Sequence, residues 1–127
     1  MLGRRSRFNA QTPLLMPGAS DAVVVLTTVT SNDEAIALVR ELVERRLVAC
    51  GTILPGARSI YRWEGKLADE SEVVVLLKTQ SAQVNALKSA FAELHPYTVP
   101  ELLALPVADG LQRYLGWIGT ETALARV

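Results

Sequence analysis

The side chains with the widest chemical scope lie together in His95-Pro96-Tyr97-Thr98-Val99-Pro100-Glu101. This stretch holds the chain's one histidine, a phenol and a carboxylate. Pro96 and Pro100 fix their own φ and push His95 and Val99 into extended conformations, so the stretch reads as a stiff ribbon holding polar groups at set positions. An imidazole near a carboxylate is equipment for proton transfer. A plainer reading competes: the prolines only stop a helix, and His95 complements the carbonyl end of its dipole.

Two other groups stand out. Lys78 ends a run that is otherwise apolar, Val73 to Leu77, on the face shared by Val74 and Leu76. Its ammonium needs a surface or a carboxylate, and Glu101 is the candidate partner. Tyr61 and Trp63 share one face of an extended segment with Ser59, while Ile60, Arg62 and Glu64 take the other. Such aromatics stack on ligands, but they serve at least as often as packing anchors at subunit contacts. His95, Lys78 and Glu101 could tune one another for acid–base work. No nucleophile stands beside a base, so the chain is not read as an enzyme.

The elements that must position these residues follow from periodicity. Ala22 to Thr30 runs apolar without alternation, as a strand buried on both faces should. Ser31 and Glu34 form a capping-box pattern opening a helix whose apolar positions are Ile36, Val39, Val43 and Leu47, with Arg40, Glu41, Glu44 and Arg45 on the wet face. Val48 to Leu54, the punctuation Pro55-Gly56, and Arg58 to Trp63 read as one long strand with a bend or bulge. Glu64-Gly65-Lys66 and the polar residues to Glu70 form the hairpin tip, and Glu72 to Thr79 the returning strand. Ser81 begins a helix with core positions Val84, Leu87, Phe91 and Leu94 that ends at the ribbon. Leu102 to Leu105 is the last strand of the core, and Leu111 to Ile118 fits a short C-terminal helix.

The order β-α-β-β-α-β is that of an α+β, ferredoxin-like (split βαβ) sandwich with an antiparallel sheet and a long bent hairpin between its second and third strands. Two helices cover one face of a four-stranded sheet, yet three strands look apolar on both. The short C-terminal helix shields part of the second face, and another subunit is the economical cover for the rest.

Composition sets the outer limits. The 127 residues are half apolar and carry thirteen basic and thirteen acidic side chains, which fits one globular domain and leaves no electrostatic footprint for nucleic acid or an anionic membrane. The longest apolar run, Leu102 to Ala108, is too short to span a bilayer and contains Pro106. A single cysteine excludes an internal disulfide and suits a reducing, cytoplasmic setting. Residues 1–20 differ from the rest, with Arg4, Arg5 and Arg7 and then Pro13 to Gly18, and the domain boundary is placed near Ser20 or Asp21. The apolar segment after the arginines is too short for an export signal, and Met16 offers an alternative start.

A family resemblance rests on five runs in order. They are Glu44-Arg45-Arg46-Leu47-Val48-Ala49-Cys50; Ile53-Leu54-Pro55-Gly56; Ser59-Ile60-Tyr61-Arg62-Trp63-Glu64-Gly65-Lys66; Leu77-Lys78-Thr79; and His95-Pro96-Tyr97 with Pro100-Glu101. Together they resemble the CutA divalent-ion-tolerance family over roughly residues 22–120. The resemblance implies a tight homotrimer of ferredoxin-like subunits over residues 21–127, related in architecture to the PII signal-transduction proteins, with a cleft between neighbours. It also implies a link to tolerance of copper and other divalent metals.

Carried over residue by residue, the resemblance points to Cys50 and His95 as metal-touching positions, and thiolate with imidazole suits copper or another divalent transition metal. A free cysteine in an apolar strand more often behaves as a small hydrophobe. One cysteine and one histidine per chain cannot close a site without a carboxylate, water or a partner subunit. Tyr61, Trp63, Lys78, Tyr97 and Glu101, with His95, would line an intersubunit pocket for a small anion or a metal chelate. Three function classes follow in order of preference: a metal-binding tolerance trimer, a PII-like trimeric sensor or scaffold taking a small ligand in the cleft, and an acid–base enzyme. The second lacks a glycine-rich phosphate loop.

Overall fold

The computed structural model describes residues 20–123, so the expectations for residues 1–19 lie outside the described part. Seven elements follow in order: β1 (Ala22–Val29), α1 (Asn32–Glu44), β2 (Cys50–Trp63), β3 (Lys66–Gln80), α2 (Val84–Leu94), β4 (Leu103–Pro106) and α3 (Gln112–Glu121). A 3₁₀ turn, Ser81–Gln83, leads into α2. The four strands form one sheet in the order β2-β3-β1-β4, with every neighbouring pair antiparallel. The result is a mixed α+β fold with the expected succession of elements.

The two faces of the sheet have different fates. On β1, Val23, Val25 and Val29 pack with Val73, Val75 and Leu77 of β3 beneath α1 and α2, in one core with Leu38, Leu42, Leu87 and Phe91. Val24, Leu26 and Thr28 point the other way and are only half-buried. On that open face α3 covers one end alone, where Ile118 packs with Ala22 and Ala49. Gln80 and Gln83 fasten the helix there, each donating from Nε2 to the Thr122 carbonyl at 3.0 and 2.6 Å. Leu54, Leu103 and Leu105 are left about half exposed.

Ser31 caps α1 as expected, its Oγ accepting from the Glu34 N–H at 3.2 Å. The helix is turned relative to the sequence reading. Ala35, Leu38 and Leu42 are buried, whereas Ile36 and Val43 are exposed. Two apolar stripes one residue apart fit the same 3.6-residue period, and the core takes the one carrying the smaller Ala35 at its close approach. The hairpin is also longer than expected. Trp63 pairs with Lys66 across a two-residue turn in which Glu64 and Gly65 have φ of 50° and 78°. Positive φ at both central residues matches the twist of paired strands, so β3 starts at Lys66 instead of near Glu72. An Arg58–Asp69 fork, with contacts of 2.6 and 3.1 Å, braces the extended arms.

Candidate functional site

The ribbon begins where α2 must end. His95 donates its backbone N–H to the Phe91 carbonyl at 2.9 Å and then turns extended, as the following proline demands. Its ring is buried between Phe91 and Tyr97, with centroids 5.3 and 5.0 Å away. It does not cap α2. The Tyr97 backbone N–H lies 3.1 Å from Nδ1, and Nε2 lies 3.1 Å from the Thr28 carbonyl and 3.0 Å from Thr27 Oγ1. A backbone N–H only donates and a carbonyl only accepts, so Nδ1 is bare and Nε2 carries the proton. Burial pushes the imidazole's pKa below its ordinary value, against the pull of the Thr28 carbonyl, Glu34 and Glu72. His95 is thus a neutral, fully engaged tautomer pinning the ribbon to β1.

Tyr97 continues the chain of contacts. Its hydroxyl donates to Glu72 Oε2 at 2.5 Å, with Thr30 Oγ1 at 3.2 Å. Burial and the Glu72 carboxylate push the phenol up to about 12. Burial also works against the charge on Glu72, yet hydrogen bonds from Tyr97, Ser59 and Thr28 together outweigh it and hold that carboxyl below its ordinary range.

A bulge brings the aromatics to this carboxylate. Before it, Cys50, Thr52 and Leu54 stand opposite Lys78, Leu76 and Val74 on the open face. The register shifts between Leu54 and Ala57, with Gly56 at φ 86°. Beyond it Ala57 faces Glu72, Ser59 faces Glu70 and Tyr61 faces Ala68. A one-residue slip exchanges the two faces of a strand. Ser59, Tyr61 and Trp63 therefore join Glu70 and Glu72, where an unbroken ladder would have placed Ile60 and Arg62.

Between hairpin and ribbon lies a cleft of about 770 Å³, walled by Tyr61, Trp63, Glu70, Glu72, Tyr97 and Glu101 among others. Among the described residues, no lysine, arginine or histidine lines it. The negative charge is felt locally: burial and then Glu72 push the Glu101 carboxyl up, and burial with Glu70 and Glu72 does the same to the Tyr61 phenol. A cation entering the cleft would relieve both.

Four sequence-predicted residues, Tyr61, Trp63, Tyr97 and Glu101, converge here. Glu70 and Glu72 were missed. The period of two running back from Val74 places Glu72, already inside the expected strand, on the cleft face, and Glu70 as well once β3 is known to extend past Glu72.

Lys78 lies elsewhere. Its Nζ donates to Thr52 Oγ1 at 2.6 Å and sits 3.8 Å from Cys50 Sγ, so its partner is a hydroxyl and not Glu101. Lys78 pairs with Val24 of β1, whereas the His95 ring meets β1 at Thr27 and Thr28. Cys50, opposite Lys78 in the ladder, is accordingly four residues along the strands from His95, which also lies on the helix-covered side with Thr27. Within one protomer the two do not meet. Among the described residues no group of three or more His, Cys, Asp or Glu side chains is placed to hold a metal ion.

Fold and cleft define a class of protein first: an α+β domain whose sheet presents a partly bare apolar face and, at one end, an acidic pocket with aromatic walls. The CutA1 divalent ion tolerance protein profile matches residues 23–121, and the chain belongs to that family. A divalent-cation tolerance protein CutA of Pectobacterium atrosepticum is 49% identical over 98 residues, which span 77% of this chain and 89% of that protein. The crystal structure of CutA from Xylella fastidiosa superposes with a TM-score of 0.79 at 44% identity, covering 81% of this chain and 99% of the other. The Archaeoglobus fulgidus protein, described as a periplasmic divalent cation tolerance protein CutA, gives 0.77 at 31% identity, with 80% and 98% covered. No helix among the described residues is long and apolar enough to cross a membrane.

Proposed function

We propose that the chain serves tolerance of divalent cations, copper foremost, as a homotrimer of ferredoxin-like subunits that takes the ion as cargo. The observation that carries this reading is the cleft itself: three carboxylates, three aromatic rings and, among the described residues, no basic side chain in its lining. Such a lining raises the local concentration of cations and repels anions. It counts against the alternative, a PII-like sensor holding a small anion in the same cleft. The apolar open face around Leu54, Leu103 and Leu105 supports assembly, since patches of that kind are normally covered by another copy.

Carboxylate oxygens suit many divalent ions, and the one soft donor, Cys50, stands on the open face where copies would meet. With both His95 nitrogens engaged, Cys50 and His95 serve one ion only across a subunit boundary and after the ribbon has let go. The free thiol fits a reducing, cytoplasmic setting.

The test is calorimetric titration of copper and zinc into the protein, with light scattering on each sample. Expected is saturable binding at a fixed stoichiometry per trimer, weakened by Glu101→Gln while assembly persists, and no binding of phosphate or sulfate. Loss in Cys50→Ala and His95→Ala instead would move the ion to those two residues. Binding indifferent to all three substitutions would overturn the reading.

A further inference from the structure

Three carboxylates line the cleft, but they do not act at one point. Glu70 stands exposed on the hairpin wall, Glu101 is half-buried on the ribbon wall, and Glu72 is buried where Tyr97 ties the two walls together. Among the described residues no three His, Cys, Asp or Glu side chains are placed around a single ion. The space is also large. Its volume of about 770 Å³ falls within the roughly 300–1,000 Å³ of small-molecule sites, far more than a bare ion fills. Negative charge spread over two walls, with room between them, matches positive charges carried apart on one body. We infer that the cleft binds a linear polyamine, with ammonium groups on Glu70 and Glu101 and the methylene chain laid against Tyr61 and Trp63.

Charge, walls and accessibility each support this ligand class. A single ammonium would balance one carboxylate of three, and the described lining offers no basic side chain for the others. Several ammonium groups on one chain balance them together, each donating charge-assisted hydrogen bonds to a carboxylate. Glu72 is 7% exposed and already served by Tyr97, Ser59 and Thr28, so it acts through its field, while Glu70 and Glu101 are the carboxylates a ligand reaches. Trp63 and Tyr61 are 51% and 39% exposed, which leaves ring surface free for cation–π contact and for methylene groups. Pro96 and Val99 extend the apolar wall on the ribbon side. The inference rests on the cleft's preference for cations, which the proposed function also uses. It adds an organic ligand to a site otherwise read as taking metal.

The test is calorimetric titration of the full chain with butylamine, putrescine and spermidine, a series of rising positive charge on an unbranched chain, with light scattering on each sample. Spermidine should saturate at one per cleft, putrescine should bind more weakly, and butylamine should not saturate. Glu70→Gln and Glu101→Gln should each weaken spermidine about two- to fivefold, the range of exposed ion pairs, and Trp63→Ala by about the same factor, the range of an exposed cation–π contact. High salt should weaken it further. No saturable spermidine binding, butylamine bound as tightly as spermidine, or a spermidine affinity indifferent to the three substitutions would each overturn the inference. So would binding that appears only as light scattering shows the proposed trimer falling apart, because a second copy would then fill the cleft. If Trp63→Ala itself disrupts assembly, the exposed Glu70 variant decides. Copper and zinc titrations on the same protein separate the two proposals. Metal bound without spermidine sinks the polyamine alone, spermidine bound without metal sinks the metal cargo alone, and neither bound sinks both.

Discussion

Replacing Tyr97 by phenylalanine deletes one oxygen and should loosen the cleft's most buried polar contact. The phenol donates to Glu72 Oε2 at 2.5 Å, and Glu72 is 7% exposed. A hydrogen bond to a charged group contributes about 1.5–3 kcal/mol, and an unsatisfied buried acceptor costs about as much. Ser59 and Thr28 still serve the carboxylate, so the cost belongs toward the lower end, about 1.5–2 kcal/mol at pH 7. The assay is urea unfolding at fixed protomer concentration, since folding would be linked to assembly in the proposed trimer. A double-mutant cycle with Glu72→Gln isolates the pair.

The pH dependence gives a second handle with a definite sign. The Glu72 carboxyl is held below 4.5 in the fold, so its contribution is present above the unfolded value and is lost as pH falls through the folded one. Tyr97 is one cause of that depression, so the gap between the parent and Tyr97→Phe should be full at pH 7 and narrow below about pH 4.5. A coupling energy under about 0.5 kcal/mol, or a gap that ignores pH, would refute the claim that Tyr97 holds Glu72 ionised.

Three further outcomes follow from the packing. A Cβ on Gly51 would sit 2.6 and 2.7 Å from the two Val39 methyls and 3.2 Å from Leu77, so Gly51→Ala should cost about 1–3 kcal/mol in urea unfolding; an unchanged midpoint would mean α1 is free to move off β2. His95 has a lowered pKa in the fold, so its contribution is complete above about 6.5 and is lost as pH falls toward the folded value; His95→Gln should flatten the pH 5–7 stability profile, and an equally steep profile in the variant would assign the slope elsewhere. Leu105→Lys places a charge on the open face and should dissociate the proposed trimer in light scattering while far-ultraviolet dichroism is kept, whereas unchanged assembly would leave that face out of the interface.

How far the sequence could be read depended on whether a signal was local. The Ser31 cap, the strand at Ala22 and the bend at Pro55-Gly56 are decided within a few residues, and each was legible. So was the sharing of a face by Ser59, Tyr61 and Trp63, because alternation survives any register. Which face they share is a different matter. It depends on a one-residue bulge in β2, which brings the aromatics to the face where the alternation of β3 already places Glu70 and Glu72. The partner of Lys78 was misjudged for a related reason: Glu101 is chemically apt, but strand register puts Thr52 and Cys50 beside the ammonium. The turned stripe on α1 shows the limit for helices, since Ile36 is more apolar than Ala35 and only the closeness of sheet to helix selects between them.

The ribbon that concentrates the chain's versatile side chains spends most of them on one another. His95 is committed to β1 and to the Tyr97 backbone, and the Tyr97 hydroxyl to Glu72. Among the described residues Glu101 has no such partner to stabilise its charge; burial and Glu72 both push its carboxyl above 4.5. A cation in the cleft and a proton on Glu101 therefore compete for the same electrons, and binding one must release the other. Cation affinity should then climb as pH rises through the raised Glu101 range and level off once that carboxylate is ionised, with protons released in step. In Glu101→Gln the climb should shrink together with the affinity. An affinity that is flat from pH 4.5 to 7, or a climb of undiminished size in the glutamine variant, would show that Glu101 does not meet the ion.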